Sequence, residues 1–262
     1  MNREAKPKLT IKTKKALFPI SIDSAQFTTL LTVPALRPIT SKYDEIIFLI
    51  ADSLNLYNKA CAVKDEVALQ DMWEDFSRLK KLYFKQRRKW LRKVRKHIGE
   101  DHIKGKWIIL GVDDLTDSFF FTIYRNLLTA FHTVKAFRQD VERTARKYCS
   151  RNTISVSPEI KRGLSEAYIL EEIAINVRIR VLEKVSSEFY LGDYLPPVLG
   201  LYEGKYGIDV FTLAGVSNND VQFDFFHLVR TASGLCWQTN ARTGDYPQLT
   251  IHRRAKLKRA AA

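Results

Sequence analysis

Three stretches of this sequence stay apolar for a strand's length without the polar alternation of a half-exposed strand. They are Ala16–Ile22 (ALFPISI), Glu45–Ala51 (EIIFLIA) and Lys106–Val112 (KWIILGV). A strand apolar on both faces has to be covered on both faces. Long helical patterns separate the runs, so the sequence predicts a parallel sheet with helices on either side. Ser186–Leu191 (SSEFYL) reads as a fourth strand. In open sheets of this kind ligands bind beyond the carboxyl ends of the strands, where the strand order switches. The chemistry is therefore sought at Ser21 to Ser24, Asp52 to Asn55, Asp113, Asp114 and Tyr190.

The segments between the strands read as helices. Phe27–Leu36 reads as a helix broken by Pro34 and Pro38, and residues 66–98 as a long basic helix that Gly99 ends. Ser118–Ser150 reads as one helix. Ser157-Pro158 opens another that runs to about Asn176, with a capping serine and a proline in the first turn. Beyond Pro196-Pro197, the runs Ile208–Leu213, Val221–Val229 and Leu249–His252 are short, aromatic and alternating. The expected organisation is a basic lead (1–15), one α/β domain (16–202) and an extension (203–262) packed on that domain.

Hydrophobic residues make up 45% of the 262, enough for a sizeable core. The longest uninterrupted apolar run, Ile46–Ala51, is far short of a membrane span. The first fifteen residues have no apolar segment of the secretory type, and the cytoplasm is the expected compartment. Cys61, Cys149 and Cys236 are odd in number and far apart, which argues against a disulfide scaffold or a Cys-rich zinc site. The five histidines form no metal-binding pattern, and no metal is expected.

Charge supplies the first functional clue. The net charge is +14, and between Arg78 and Lys96 stand eleven Lys or Arg and no acid. Met72, Phe76, Leu79, Tyr83, Trp90, Val94 and Ile98 form an apolar stripe with a gap at Arg87. Arg78, Lys81, Lys85, Arg88, Arg92 and Arg95, with Lys96, form a basic one. Like charges four residues apart destabilise a helix by a few tenths of a kcal/mol each. A polyanion lying along the stripe would offset that cost, and the segment lacks the broad apolar face of an in-plane membrane helix.

Familiar nucleotide and hydrolase signatures are missing: GxGxxG after a strand, GxxxxGK[ST], GxSxG, HIGH and KMSKS. Two constellations remain. Pro19-Ile20-Ser21-Ile22-Asp23-Ser24 presents serines at a strand end, as any strand-to-helix turn can. Tyr168 and Glu172, four residues apart, set a phenol beside a carboxylate on one helical face, where they can hold an ammonium group or move a proton. Glu171 lies about 100° round the helix from Glu172.

Taken together, these segments resemble the tRNA-dependent cyclodipeptide synthases. ALFPISIDSAQF resembles the family's first strand with its serine, departing at Pro19 and Asp23, where the family usually has glycine. YDEIIFLIADS resembles the second strand, and the stripe Arg78–Lys96 falls where the family has its tRNA-binding helix. SEAYILEEIAI keeps the spacing of Tyr168 and Glu172, and VSSEFYLG resembles the strand that ends in a tyrosine, here Tyr190. The resemblance spans about residues 16 to 202.

The resemblance implies a Rossmann-like parallel sheet similar to the catalytic domain of class I aminoacyl-tRNA synthetases, without ATP chemistry or cofactor. It implies two aminoacyl-tRNAs used in turn; nothing in the sequence demands more than a monomer. Ser21 takes the first aminoacyl group, a second aminoacyl-tRNA gives a dipeptidyl enzyme, and cyclisation releases a diketopiperazine. Tyr168, Glu172 and Tyr190 join Ser21 as catalytic residues. Pro19 and Ser24, beside Ser21, are expected to bind substrate. So is Glu188, which shares a strand face with Tyr190 and would either meet a cationic substrate side chain or pair with Lys184 or Arg180. Two other readings compete: a non-catalytic RNA-binding protein that uses the basic helix, and an RNA-directed enzyme that uses Asp52, Asp113 and Asp114.

Overall fold

The computed structural model describes residues 13–21, 32–60, 63, 65–150, 157–191, 194–217, 223–231, 234–239 and 249–250. Four parallel strands form the middle of the sheet: β1 (Lys15–Ile20), β2 (Glu45–Ile50), β3 (Lys106–Gly111) and β4 (Ser187–Tyr190). Next to β4 runs β5 (Asp224–Thr231), also parallel; β6 (Gly234–Thr239) turns back antiparallel to β5, and the short β7 (Leu249–Thr250) pairs antiparallel to β6. The order is β3-β2-β1-β4-β5-β6-β7. The chain moves outward from β1 to β3 and then crosses back to β4 on the other side of β1. The order therefore reverses between β1 and β4, and a crevice opens there at the carboxyl ends.

The apolar runs do what their composition requires. Alternate residues of β1 and β2 point to opposite faces, and both sets are buried. Ala16, Phe18, Ile20, Ile46, Phe48 and Ile50 face one core; Leu17, Ile47 and Leu49 face the other. Helices α1 (Thr32–Thr40) and α4 (Phe76–Ile98) cover the first face. The second is covered by α5 (Ser118–Thr133), α6 (Lys135–Ser150) and α7 (Pro158–Leu182), with α8 (Pro196–Tyr202) and α9 (Val210–Leu213). Two further helices, α2 (Leu54–Ala60) and α3 (Glu66–Glu74), lead into α4. On the first face Phe18 meets Phe48 at 5.7 Å between ring centroids, and Phe189 stacks on Phe226 at 4.6 Å. Among the described residues no helix is long and apolar enough to cross a membrane.

Element boundaries differ from expectation where local chemistry is decisive. The basic helix is two helices meeting at Asp75, whose backbone N–H bonds to Asp71 and Trp73 while its carboxylate holds Arg78. The expected helix 118–150 breaks at Val134, an extended residue after Thr133; adjacent β-branched side chains favour the break. Pro34 and Pro38 lie inside α1 rather than ending it. Pro34 falls in the first turn, where a missing N–H leaves no bond unmade. The capped start of α7 at Ser157-Pro158 stands as expected, and the helix continues past Asn176 to Leu182. Residues 210–213 form a helical turn capped by Asp209 instead of a strand, and β6 was not anticipated. Gly99 ends α4 with φ +86°, a conformation that favours glycine. Gly105 lets the chain entering β3 pass the carbonyls of Tyr43 and Asp44, which a Cβ would meet at 2.4 Å. Residues 1–12, Ile22 to Leu31 and 251–262 lie outside the described residues, and so does Ser24.

Arg180 of α7 is fully buried. Its guanidinium bonds Glu188 of β4 at 2.9 Å and the carbonyls of Ser186 and Asp224, and lies 4.0 Å from the centroid of the Phe225 ring. Burial pushes the Glu188 carboxyl's pKa up, while Arg180 and Asn176 pull it down. Removing one charge leaves the other unpaired in the core, so Arg180→Leu or Glu188→Leu alone should cost about 3–5 kcal/mol. The double variant should recover most of that loss in urea unfolding. A double variant less stable than either single one would show that the pair stabilises outright.

Candidate active site

The crevice between β1 and β4 is an open cleft. β1 brings Pro19, Ile20 and Ser21 to one wall and β4 brings Glu188 and Tyr190 to another. The long helix α7 crosses beneath with Tyr168, Glu172 and Asn176, each four residues on and so on the same face. Six of the residues singled out from sequence thus line one cleft: Pro19, Ser21, Tyr168, Glu172, Glu188 and Tyr190. Ser24, the seventh expected around it, lies outside the described residues.

The Tyr168 hydroxyl hydrogen-bonds the Glu172 carboxylate. Burial raises the Glu172 pKa to about 7; the Tyr168 bond works against the rise and the charge of Glu188 adds to it. A carboxyl poised there can take or give a proton near neutrality. Glu171 points elsewhere, to α2, where the Tyr57 hydroxyl donates to it at 2.6 Å. Its pKa is also raised by burial. The Tyr57 ring stands 6.4 Å from that of Tyr168, between the cleft and Trp73. Tyr190 packs against Tyr194, whose hydroxyl lies 3.1 Å from the carbonyl oxygens of both Glu188 and Phe226.

Glu188 has a partner within the protein. Its cation is Arg180, so of the partners left open the protein's own arginine is the one it meets. Asn176, placed by the sequence only at the end of a helix, donates to the same carboxylate oxygen at 2.7 Å. The signal was there: Tyr168, Glu172, Asn176 and Arg180 form a polar line at four-residue steps along the helix.

The acids after β2 and β3 are held in local structure. Asp52 accepts from the Val112 N–H at 2.9 Å, Asp114 from the Gly111 N–H at 2.8 Å, and Asp113 from the Ser53 hydroxyl at 3.1 Å. Asp113 also pairs with Lys80, tying α4 to the carboxyl edge of the sheet.

On α4 the buried line is Arg87, Leu91, Val94 and Ile98, so the gap in the apolar stripe is itself a buried arginine. The basic stripe divides. Arg78 pairs with Asp75, and Arg95 pairs with Glu100 at 2.7 Å and lies over the Trp107 ring. Lys81, Lys85, Arg88, Arg92 and Lys96 are exposed and make no ion pair among the described residues.

No protein-family profile and no curated protein matches the sequence. Solved structures do match. A cyclodipeptide synthase from Fluoribacter dumoffii shares 18% identity and a TM-score of 0.57, over 72% of this chain and 82% of that one. A Mycobacterium tuberculosis protein, described as demonstrating that cyclodipeptide synthetases are related to type I tRNA synthetases, shares 12% identity and a TM-score of 0.53, over 82% of this chain and 84% of that one. A cyclodipeptide synthase from Candidatus Glomeribacter gigasporarum bound to Phe-tRNAPhe shares 15% identity and a TM-score of 0.52, over 74% of this chain and 83% of that one. The doubly covered sheet, with its order reversing between β1 and β4, is the fold of the cyclodipeptide synthases.

Proposed function

We propose that this chain is a cyclodipeptide synthase, joining the aminoacyl groups of two aminoacyl-tRNAs by acyl transfer through Ser21. The observation that carries the reading is the single cleft lined by Ser21, Tyr168, Glu172 and Tyr190 at the strand-order reversal. The shared fold and the tRNA-bound relative support it.

The chemistry asks for little activation, because an aminoacyl-tRNA ester is already a reactive acyl donor. The Ser21 oxygen attacks the ester carbonyl and the ribose oxygen leaves with a proton. Glu172 and Tyr168 hold the α-amino group of the bound residue, and Glu172, titrating near 7, takes the proton that turns its ammonium into a nucleophile. That amine attacks the ester of the second aminoacyl-tRNA, forming a peptide bond while the second ribose oxygen leaves. The new terminal amine then attacks the Ser21 ester, closing the ring and restoring the hydroxyl. Tyr190 orients the acyl carbonyl. The exposed bases of α4 receive the phosphate backbones without reading sequence.

Ser21→Ala should abolish cyclic product, and intact-mass analysis after incubation with charged tRNA should show an aminoacyl adduct on the wild type alone. An adduct persisting on the variant would overturn the nucleophile.

Glu172→Gln should lower kcat/KM by about 2 kcal/mol or more in transition-state terms. The wild-type rate should rise as Glu172 ionises near pH 7, and the variant should lose that limb. Stability moves the opposite way. The folded carboxyl binds its proton more tightly than the unfolded one, so its contribution is present at low pH and falls away as pH climbs to about 7. Thermal melts should therefore show the Gln variant gaining on the wild type between about pH 5 and about pH 8. A constant difference would mean that Glu172 titrates normally.

Replacing Lys81, Lys85, Arg88 and Arg92 by Ala should weaken tRNA binding and flatten its salt dependence, by roughly one unit of log–log slope for each phosphate no longer neutralised. Arg95→Ala should change that slope less, because Arg95 is engaged by Glu100 and Trp107. Equal slopes per residue in filter binding would show that charge acts only in bulk.

A further inference from the structure

The floor of the cleft holds polar atoms that the protein leaves unpaired. Glu188 and Asn176 both line it and are only 2% and 8% exposed. Oε2 of Glu188 accepts from Arg180 Nη1 and from Asn176 Nδ2. Oε1 accepts no hydrogen bond among the described residues. Asn176 Oδ1 is buried with no partner. The amide cannot simply be turned over, since that would press its carbonyl oxygen against a carboxylate at 2.7 Å. Toward the cleft the floor thus offers two acceptors without a donor; the other unpaired polar groups nearby, Arg180 Nε and the Tyr202 hydroxyl, belong to residues that do not line it. Buried polar atoms are almost always hydrogen-bonded, so a free pair in a binding cleft marks where a ligand's donor belongs. Charge narrows the class further. Arg180 already neutralises Glu188, so a second cation would be left without a counter-charge of its own.

We infer that the cleft selects an aminoacyl group whose side chain is uncharged and carries a hydrogen-bond donor, placed on Glu188 Oε1 and Asn176 Oδ1. Hydroxyl, carboxamide, neutral imidazole and indole side chains belong to this class. A hydrocarbon side chain would displace water from both acceptors and give nothing back, which is how a polar site rejects an apolar analogue. The inference rests on the proposed function and names the substrate class of that same site.

The full chain is given a tRNA pool charged with all twenty amino acids, and its cyclic products are identified by mass spectrometry. One of the two product positions should be filled by the uncharged donor class, with leucine disfavoured there by at least about 100-fold. Asn176→Leu, which keeps the ion pair, and the Arg180→Leu/Glu188→Leu double variant should both shift that position towards leucine or isoleucine. Products with hydrocarbon side chains at both positions, lysine or arginine in the selected position, or unchanged choice in both variants would each overturn the inference. Absence of any cyclic product defeats the proposed function instead. The cleft is then read by competition between L-glutamine amide and L-leucine amide in saturation-transfer NMR. Preference of the wild type for the glutamine amide, lost in Asn176→Leu, supports the inference, and preference for the leucine amide overturns it.

Discussion

A guanidinium buried to zero exposure holds the architecture around the cleft together. Arg180 joins α7 to β4 through Glu188 and to the strand beyond through the carbonyl of Asp224, with Phe225 packed on its flat face. A desolvated pair of this kind seldom adds net stability over an apolar substitute. It does fix geometry, because neither charge can move without leaving the other stranded. The pair thereby sets how far α7 lies from the sheet, and so where Tyr168 and Glu172 stand relative to Ser21 and Tyr190.

The same helix face carries packing and chemistry in one line. Tyr168, Glu172 and Asn176 line the cleft and Arg180 lies one turn beyond them, on a helix whose fully buried positions are mostly aliphatic. The mouth and the floor differ in kind. Near Ser21 the carboxyl of Glu172 sits beside a phenol and titrates near neutrality. Across from the helix, Glu188 of β4 is paired with Arg180. The α7 stripe thus holds a group able to exchange protons, while the β4 carboxyl below it is tied into an ion pair.

Much of this could be read in the sequence, because strong periodicity and covered strands leave few options. β1, β2 and β3 were legible as apolar runs without alternation, and the position of the cleft followed from the carboxyl-end rule. Tyr168 and Glu172 followed from their spacing. Asn176 was passed over because one asparagine in an apolar run carries no signal until its neighbours four residues away are counted with it. The partner of Glu188 was left open because Lys184 and Arg180 are both within reach in sequence, and only the burial of Arg180 decides between them. The breaks at Asp75 and Val134 were missed because the helical period runs through both without interruption. The strand order beyond β4 had no local signature, since pairing between distant segments is a property of the assembled sheet.

The split in the basic helix has a consequence for the protein without RNA. Lys81, Lys85, Arg88, Arg92 and Lys96 repel one another along an exposed face, whereas Leu91, Val94 and Ile98 hold the opposite face in the core. Added electrolyte shortens the reach of that repulsion. Ionic strength therefore acts on the free chain and on its complexes with opposite sign: the salt that loosens a nucleic acid from α4 relaxes the self-repulsion of the helix it leaves behind.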